Sequence, residues 1–376
     1  MEKVPEIVWT GGPCAGKTTG IAYVSEKLRD WGWRVLIVPE VPTIVIGGGV
    51  PDIGAIAAAD TRKYIEVQKE FIRGHLELRR FFQRLAAIFK DEKCVLFCDR
   101  GGMDAAAYMP RDYFDAALAA DRLTLHDVRD SYEGVLFLVT AADGAPAFYT
   151  LLNNKARQED TLEKAIAADQ RTLGAWVGHP HLRIIDNSTD FEGKMRRSLA
   201  AIARMLGIPV PLEIERKFLL RRMPDPADPR LRSVPIEKIA IEQMYLLPRD
   251  GAQLRIRRRS QGDSATFYKT RKVPVGPRTR HETESFIDPV EYLHLQALRD
   301  PQTGVIRKNR YCFPYRHQYF ELDQFKNPED LVLLEIELTE ENDRLELPDF
   351  LEVEREVTDE PEFENYAIAR RIAARF

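Results

Sequence analysis

The chain has 376 residues, 44% hydrophobic and 30% charged, enough to bury a sizeable core and to form two domains. A net charge of −4 excludes an overall electrostatic bias toward nucleic acid or a membrane surface. No run approaches the roughly 20 apolar residues of a membrane-spanning helix. Cys14, Cys94, Cys98 and Cys312 form no paired framework, and Met-Glu-Lys-Val-Pro-Glu lacks the apolar core of a secretory signal, so a reducing cytoplasm is the expected setting.

Residues 7–10 predict a short buried strand that runs into Gly11-Gly12-Pro13-Cys14-Ala15-Gly16-Lys17-Thr18, a match to G-x-x-x-x-G-K-[ST] without a mismatch. In such a P-loop, backbone N–H groups curl around phosphate oxygens and the next helix, expected over 18–28, points its positive end at them. Lys17 then reaches the β- and γ-phosphates of ATP or GTP, Thr18 can hold Mg²⁺, and Thr19 joins the phosphate-binding set.

Residues 33–38 and 94–98 predict further buried strands, followed by Glu40 and by Asp99. Strands alternating with helices imply a parallel sheet whose ligand lies beyond the carboxyl ends of the strands. Asp99 is then the Walker-B carboxylate, acting on Mg²⁺ directly or through water, and Glu40 accepts a proton or holds a phosphoryl acceptor. Helix capping or a surface ion pair is the alternative for both. Between them, Gly47-Gly48-Gly49-Val50-Pro51 predicts a flexible loop, and 61–90 a helix broken near Arg73-Gly74, with Gln68 facing the nucleotide's partner or, the preferred reading, a solvated helix residue.

After a strand at 134–139, Asn153-Asn154-Lys155-Ala156-Arg157-Gln158-Glu159 precedes a helix ending near Trp176. A lid arginine can neutralise charge on a transferred phosphoryl group, which selects Arg157, with Lys155 behind it; a solvated helix start is the alternative. A strand at 182–187 and a helix at 190–206 close this half, expected to span residues 1–207. The phosphate loop, Arg157-x-Glu159, Gly178-His179-Pro180-His181 and Asp186-Asn187 resemble the kinase-like P-loop ATPases grouped with nicotinamide riboside kinases, in the form fused to a CYTH domain in the TRP-translocation-defect family. The resemblance brings Asn187 into the nucleotide site.

The second half, expected over 208–376, opens on Glu213-Ile214-Glu215-Arg216-Lys217. In a strand, side chains alternate between faces, so Glu213, Glu215 and Lys217 share one face. The pattern returns as Arg255/Arg257, Lys269/Arg271, Arg280/Glu282/Glu284, Lys308/Arg310, Glu321/Asp323 and Glu335/Glu337. Charges this dense cannot line a dry core, since an unpaired buried charge costs several kcal/mol or more. An antiparallel barrel with the polar face inward satisfies them, with Ile214, Phe218, Leu322, Leu334, Ile336 and Leu338 packing outward under helices.

That ordered series, with Glu356-Val357-Thr358-Asp359 and Asn365-Tyr366-Ala367 at the end, resembles the CYTH, or triphosphate tunnel metalloenzyme, family. The resemblance implies a tunnel of eight antiparallel strands and hydrolysis of a triphosphate to diphosphate and phosphate. Cations clamp a polyanion, and carboxylates hold Mg²⁺ or Mn²⁺. Glu213, Glu215 and Glu337 are assigned to the metals, and Lys217, Arg255, Arg257, Lys269, Arg271, Arg280, Lys308 and Arg310 to the phosphates. Glu282, Glu284, Glu321, Asp323 and Glu335 are metal ligands or the base that orients water. A solvated mixed-charge sheet face is the alternative. Other readings are a nucleotide-switched module that binds a phosphorylated ligand or lipid headgroup without turnover, a nucleotide cyclase, and entry of an RNA 5′-triphosphate end. The phosphoryl acceptor and oligomeric state stay open.

Overall fold

In the computed structural model, which describes residues 3–50, 53–149, 161–208, 214–249, 251–274, 280–328, 330–338 and 344–374, the chain divides into two units, Met1–Leu206 and Gly207–Phe376. In the first, β1 (Glu6–Thr10), β2 (Trp33–Val38), β3 (Lys93–Asp99), β4 (Gly134–Leu138) and β5 (Leu182–Ile185) form a parallel sheet in the order β2-β3-β1-β4-β5. β1 and β4 are buried along their whole length, as the apolar runs Ile7–Trp9 and Gly134–Leu138 require in a sheet covered on both faces, the buried Glu6 being paired with Arg79. α1 (Lys17–Asp30), α4 (Thr61–Ala86) and α7 (Phe191–Met205) pack on the sheet's strands, α2 (Val41–Gly47), α3 (Ile53–Ala59) and α5 (Arg111–Ala120) lie against α4, and α6 (Leu162–Trp176) completes the helices described. Asp60, Thr161 and Asp190 cap α4, α6 and α7 by accepting from the backbone N–H three residues on.

Three local expectations are corrected. α4 runs unbroken through Gly74, where a Cβ would meet Val41 Cγ1 at 3.0 Å, so glycine there permits the close approach of α2 rather than ending the helix. Gln68 is buried on α4, not solvated. Residues 41–47 are helical, with Pro42 in the first turn, so the glycine-rich loop begins only at Gly48.

The second unit is an antiparallel sheet of β6 (Ile214–Leu220), β7 (Glu237–Arg249), β8 (Ala252–Gln261), β9 (Ser264–Pro274), β10 (Arg280–Ile287), β11 (Ile306–Tyr315), β12 (Gln318–Phe325), β13 (Val332–Leu338) and β14 (Val353–Glu356). Their order is β10-β9-β8-β7-β11-β12-β13-β6-β14, so the described residues form nine strands where eight were expected, the last of them the four-residue β14. Among the described residues two α-helices accompany it, α8 (Pro289–Gln296) and α9 (Asn365–Ala373).

Alternation divides this sheet sharply. On one face Phe218, Leu322, Leu334, Ile336 and Leu338 join Phe313 and Phe320 in an apolar core. Its cover includes Leu231 of a single 3-10 turn, Pro229–Ser233, and Leu345, Leu347, Phe350 and Leu351, not an α-helix as expected. The side chain of Ile214 lies outside the described set. Further along the same face, Met244, Leu246 and Ile256 pack under Tyr292 and Leu295 of α8. The opposite face carries the charges, and α9 seals one end of it by setting Ile368, Ala369 and Ile372 on Tyr245, Ile306, Phe325 and Leu333. Gly304 makes this possible: a Cβ there would lie 2.3 Å from Ile372 Cγ2, and its N–H donates to Ala369 O at 2.7 Å. Among the described residues no helix is long and apolar enough to cross a membrane.

Candidate functional site

The phosphate loop joins β1 to α1. Gly11 takes φ +137° with its Cα hard against Leu138 O, where a Cβ would stand 2.0 Å away, so only glycine turns the chain here. Pro13, Cys14 and Ala15 complete the curve to Gly16. Lys17 folds back over it and donates to Gly11 O at 3.0 Å and Gly12 O at 3.1 Å. Thr18 and Thr19 are exposed on the first turn of α1. Burial, and then Arg100, push Lys17 down to about 8 against the pull of Glu40, Asp99 and Asp104. Asp99 ends β3, and burial, helped by Glu40 and opposed by Lys17, raises its pKa. Lys17, Glu40 and Asp99 thus share one electrostatic neighbourhood at the carboxyl ends of the strands.

Residues with no sequence signal build the rest. Arg100, held at φ +68°, donates through Nε to Glu40 and through Nη1 to Asp104 at 3.2 Å. Burial works against the Glu40 carboxylate, but Arg100 keeps its pKa below the usual value. Asp104 also accepts from Thr10 Oγ1 at 2.5 Å, Gly101 N at 2.8 Å and Trp176 Nε1 at 3.3 Å. Asp169 of α6, buried, accepts from Gly12 N at 2.6 Å and Thr140 N at 3.1 Å, so it fixes the first half of the loop. The amide of Asn187, expected in the nucleotide site, is engaged within the unit. Its Nδ2 donates to Thr140 O at 2.8 Å and Asp143 O at 2.6 Å, and its Oδ1 accepts from Lys194 Nζ at 2.7 Å. Arg157 and Lys155 lie outside the described residues.

In the second unit the strand register brings most of the expected pairs onto one face. Glu337 stands opposite Glu215, and Glu335 opposite both Lys217 and Glu321. Asp323 stands opposite Arg310. The side chains interlock: Lys217 Nζ lies 3.0 Å from Glu335 and 3.2 Å from Glu215, and Lys308 Nζ donates to Asp323 at 2.5 Å. Arg310 reaches Asp323 from Nε at 2.7 Å, Glu335 from Nη2 at 2.6 Å and Glu321 from Nη1. Burial opposes charge on Glu335, yet Lys217, Lys308 and Arg310 hold it well below the carboxylate range. Burial likewise opposes the Lys217 ammonium, which Glu335 and Glu215 keep above its ordinary pKa. For Lys308 burial wins over Asp323, and its pKa falls.

A second cluster sits on β8–β10. Arg257 Nη2 donates to Glu284 at 2.7 Å, Thr270 Oγ1 to the same carboxylate at 2.7 Å, and Arg255 stands 3.8 Å away. Arg257 Nε is buried without a hydrogen-bond partner. Lys269 and Arg271 are corrected: they register with Ile256 and Leu254, on the opposite face, and Lys269 meets Glu291 of α8 at 3.5 Å. Thr270 and Lys272 take the inward positions of β9 instead, because Thr266 and Tyr268 are its buried inward residues. Glu282 stands opposite Lys272 and Arg280 opposite Pro274; the side chains of Glu282 and Arg280 lie outside the described set, and Glu213 outside the described residues altogether.

The carboxylates meet a simple requirement of a divalent cation. Glu215 and Glu337 are like charges directly opposite across two strands, which repel unless a cation lies between them, and both offer hard oxygen donors. Among the described residues no group of three such side chains converges, and Glu213 lies outside them.

Among solved structures, similarity falls on part of the chain. The inorganic triphosphatase NE1496 is 26% identical, covering 43% of this chain and 96% of its own, with a TM-score of 0.32. Two proteins of Pyrococcus horikoshii OT3, PH1819 and PH1012, are 22% and 23% identical, cover 35% and 33% of this chain and 80% and 78% of their own, and score 0.27 and 0.25. No curated protein matches. Family comparison matches an AAA domain at residues 6–194 and a CYTH domain at residues 211–372. The chain therefore belongs to the AAA-domain family through its phosphate-loop half, and carries a CYTH domain in its charged antiparallel half.

Proposed function

We propose that the charged face of the CYTH domain is a divalent-metal-dependent triphosphatase for an inorganic or organic triphosphate, and that the P-loop domain is a separate kinase-like centre that binds ATP or GTP. One observation carries the first part. Five cations, Lys217, Arg255, Arg257, Lys308 and Arg310, meet the carboxylates of Glu215, Glu284, Glu321, Asp323 and Glu335 at close range on a single face. A binding module for a phosphorylated ligand needs only the cations. A triphosphatase needs both signs, one for the phosphates and one for the metals.

In this reading Lys217, Lys308 and Arg310 exchange their carboxylate partners for phosphate oxygens, and Lys272, Arg255 and Arg257 grip the other end of the chain, Arg257 Nε supplying a donor that has no other use. Glu213, Glu215 and Glu337 hold Mg²⁺ or Mn²⁺, which when bound would polarise the terminal phosphoryl group and lower the pKa of a water. Glu282 or Glu284 takes the proton from the water that attacks the terminal phosphorus, as the bond to the leaving diphosphate breaks. In the P-loop domain, Lys17 and Thr18 hold the phosphates with their metal, Asp99 faces the same point, and Glu40, kept ionised by Arg100, accepts a proton from an acceptor hydroxyl.

The test is release of phosphate, diphosphate and cyclic nucleotide from a panel of triphosphates with Mg²⁺ or Mn²⁺, for wild type, Lys17→Ala and Glu213→Ala/Glu215→Ala. Two activities lost separately in the two variants are expected. If Lys17→Ala abolished all turnover, the charged face would be a binding module.

A further inference from the structure

Phe191, the first residue of α7, is 52% exposed although it is a large apolar ring. It lies against the phosphate loop: a Cβ built on Gly16 would meet Phe191 Cε2 at 3.1 Å and Cζ at 3.8 Å. The chain that carries the ring is held in place. Asp190 accepts from Gly193 N at 2.8 Å, and Arg197 donates to Asp186 Oδ1 at 2.7 Å and to Thr189 Oγ1 at 3.1 Å, fixing the connection from β5 into α7. The same connection holds Asn187, whose amide is consumed by Thr140 O, Asp143 O and Lys194. This loop therefore offers a ligand an aromatic face, while its one carboxamide is already engaged.

Resting on the P-loop reading above, we infer that Phe191 is a stacking platform for the planar base of a nucleoside triphosphate whose phosphates occupy residues 11–18. Pyrophosphate fills the loop and leaves the ring wet, whereas a nucleotide also covers the ring. Every base has a π-face, so stacking of this kind is sequence-tolerant. Phe191 thus selects nucleotides over bare polyphosphates without choosing between ATP and GTP.

The experiment measures binding of the β,γ-imido analogues of ATP and GTP, and of pyrophosphate, to the full chain with Mg²⁺, counting only the affinity that Lys17→Ala removes. Phe191→Ala should weaken both analogues by about tenfold, in the range of base–aromatic stacking, and pyrophosphate by less than about twofold. Phe191→Trp should bind the analogues as wild type does, with an added indole fluorescence that they quench and pyrophosphate does not. Unchanged analogue affinity in Phe191→Ala, or equal loss of analogue and pyrophosphate, overturns the inference. If Lys17→Ala itself removes no affinity for any of the ligands, the P-loop reading has failed and takes the platform with it.

Discussion

Asp323→Asn is the sharpest test of the charge layer. Asp323 is fully buried and is the only partner that Lys308 and Arg310 share at hydrogen-bond distance among the described residues. Breaking a buried ion pair by removing one partner costs roughly 3–5 kcal/mol. Arg310 keeps Glu335 and Glu321, so the lower end, about 3 kcal/mol, is expected. For a unit of this size each kcal/mol moves the midpoint by about 2–4 °C, so the transition of the CYTH domain should fall by about 6–12 °C at pH 7. The pH dependence has a definite sign. Lys308 already has a lowered folded-state pKa through burial, so the folded state binds fewer protons than the unfolded one as pH rises toward the ordinary lysine value. Loss of Asp323 lowers that pKa further, and Lys308 can then shed its proton instead of being buried charged. The penalty should therefore shrink between pH 7 and pH 9.5. Calorimetry of wild type and variant at both pH values checks this; a shift under about 2 °C at pH 7, or a penalty that grows with pH, would refute the desolvated-network argument.

Three further outcomes follow from placements already described. Lys272→Ala should lower triphosphate turnover by at least about 100-fold while Lys269→Ala changes it less than about threefold, since phosphate clamps in a dry site carry several kcal/mol; steady-state kinetics of the pair decides which phase of β9 faces the substrate. Lys17, pushed down to about 8 in the ligand-free loop, loses its charge as pH rises through that value, so nucleotide affinity measured by calorimetric titration should fall between pH 7 and pH 9, and Lys17→Ala should abolish that dependence. Gly304→Ala should destabilise the CYTH domain by roughly 1–3 kcal/mol, because the new methyl must displace Ile372 on α9; a chemical-denaturation midpoint unchanged from wild type would mean α9 yields freely.

The sequence showed the phosphate loop because its signal is local: eight consecutive residues state the turn, the lysine and the helix start. It showed the charged face because the period-two phase survives on six strands, β6, β8 and β10 to β13. The phase of β9 was harder. In Tyr268-Lys269-Thr270-Arg271-Lys272 both parities carry cations, so alternation alone cannot choose, and what decides is Thr270 donating to Glu284 on the neighbouring strand. Asp104 and Asp169 were invisible for a different reason. Asp169 meets Gly12 across 157 positions of chain, and nothing near Ala-Asp-Gln announces it. Gly74 misled because a glycine inside a helix reads as a break, whereas here its missing methyl is space for Val41.

The interlocked carboxylates and cations of the CYTH face have one more consequence. A phosphate chain arriving alone would strip cations from Glu335 and Asp323 and strand those anions, and a divalent ion arriving alone would do the same to Lys217 and Arg310. Each newcomer compensates what the other displaces, so affinity for either should rise steeply with the concentration of its companion. If this face binds a triphosphate and a metal as proposed, such a surface should act as a coincidence detector, nearly indifferent to free anions or free metal and responsive to the complex of the two.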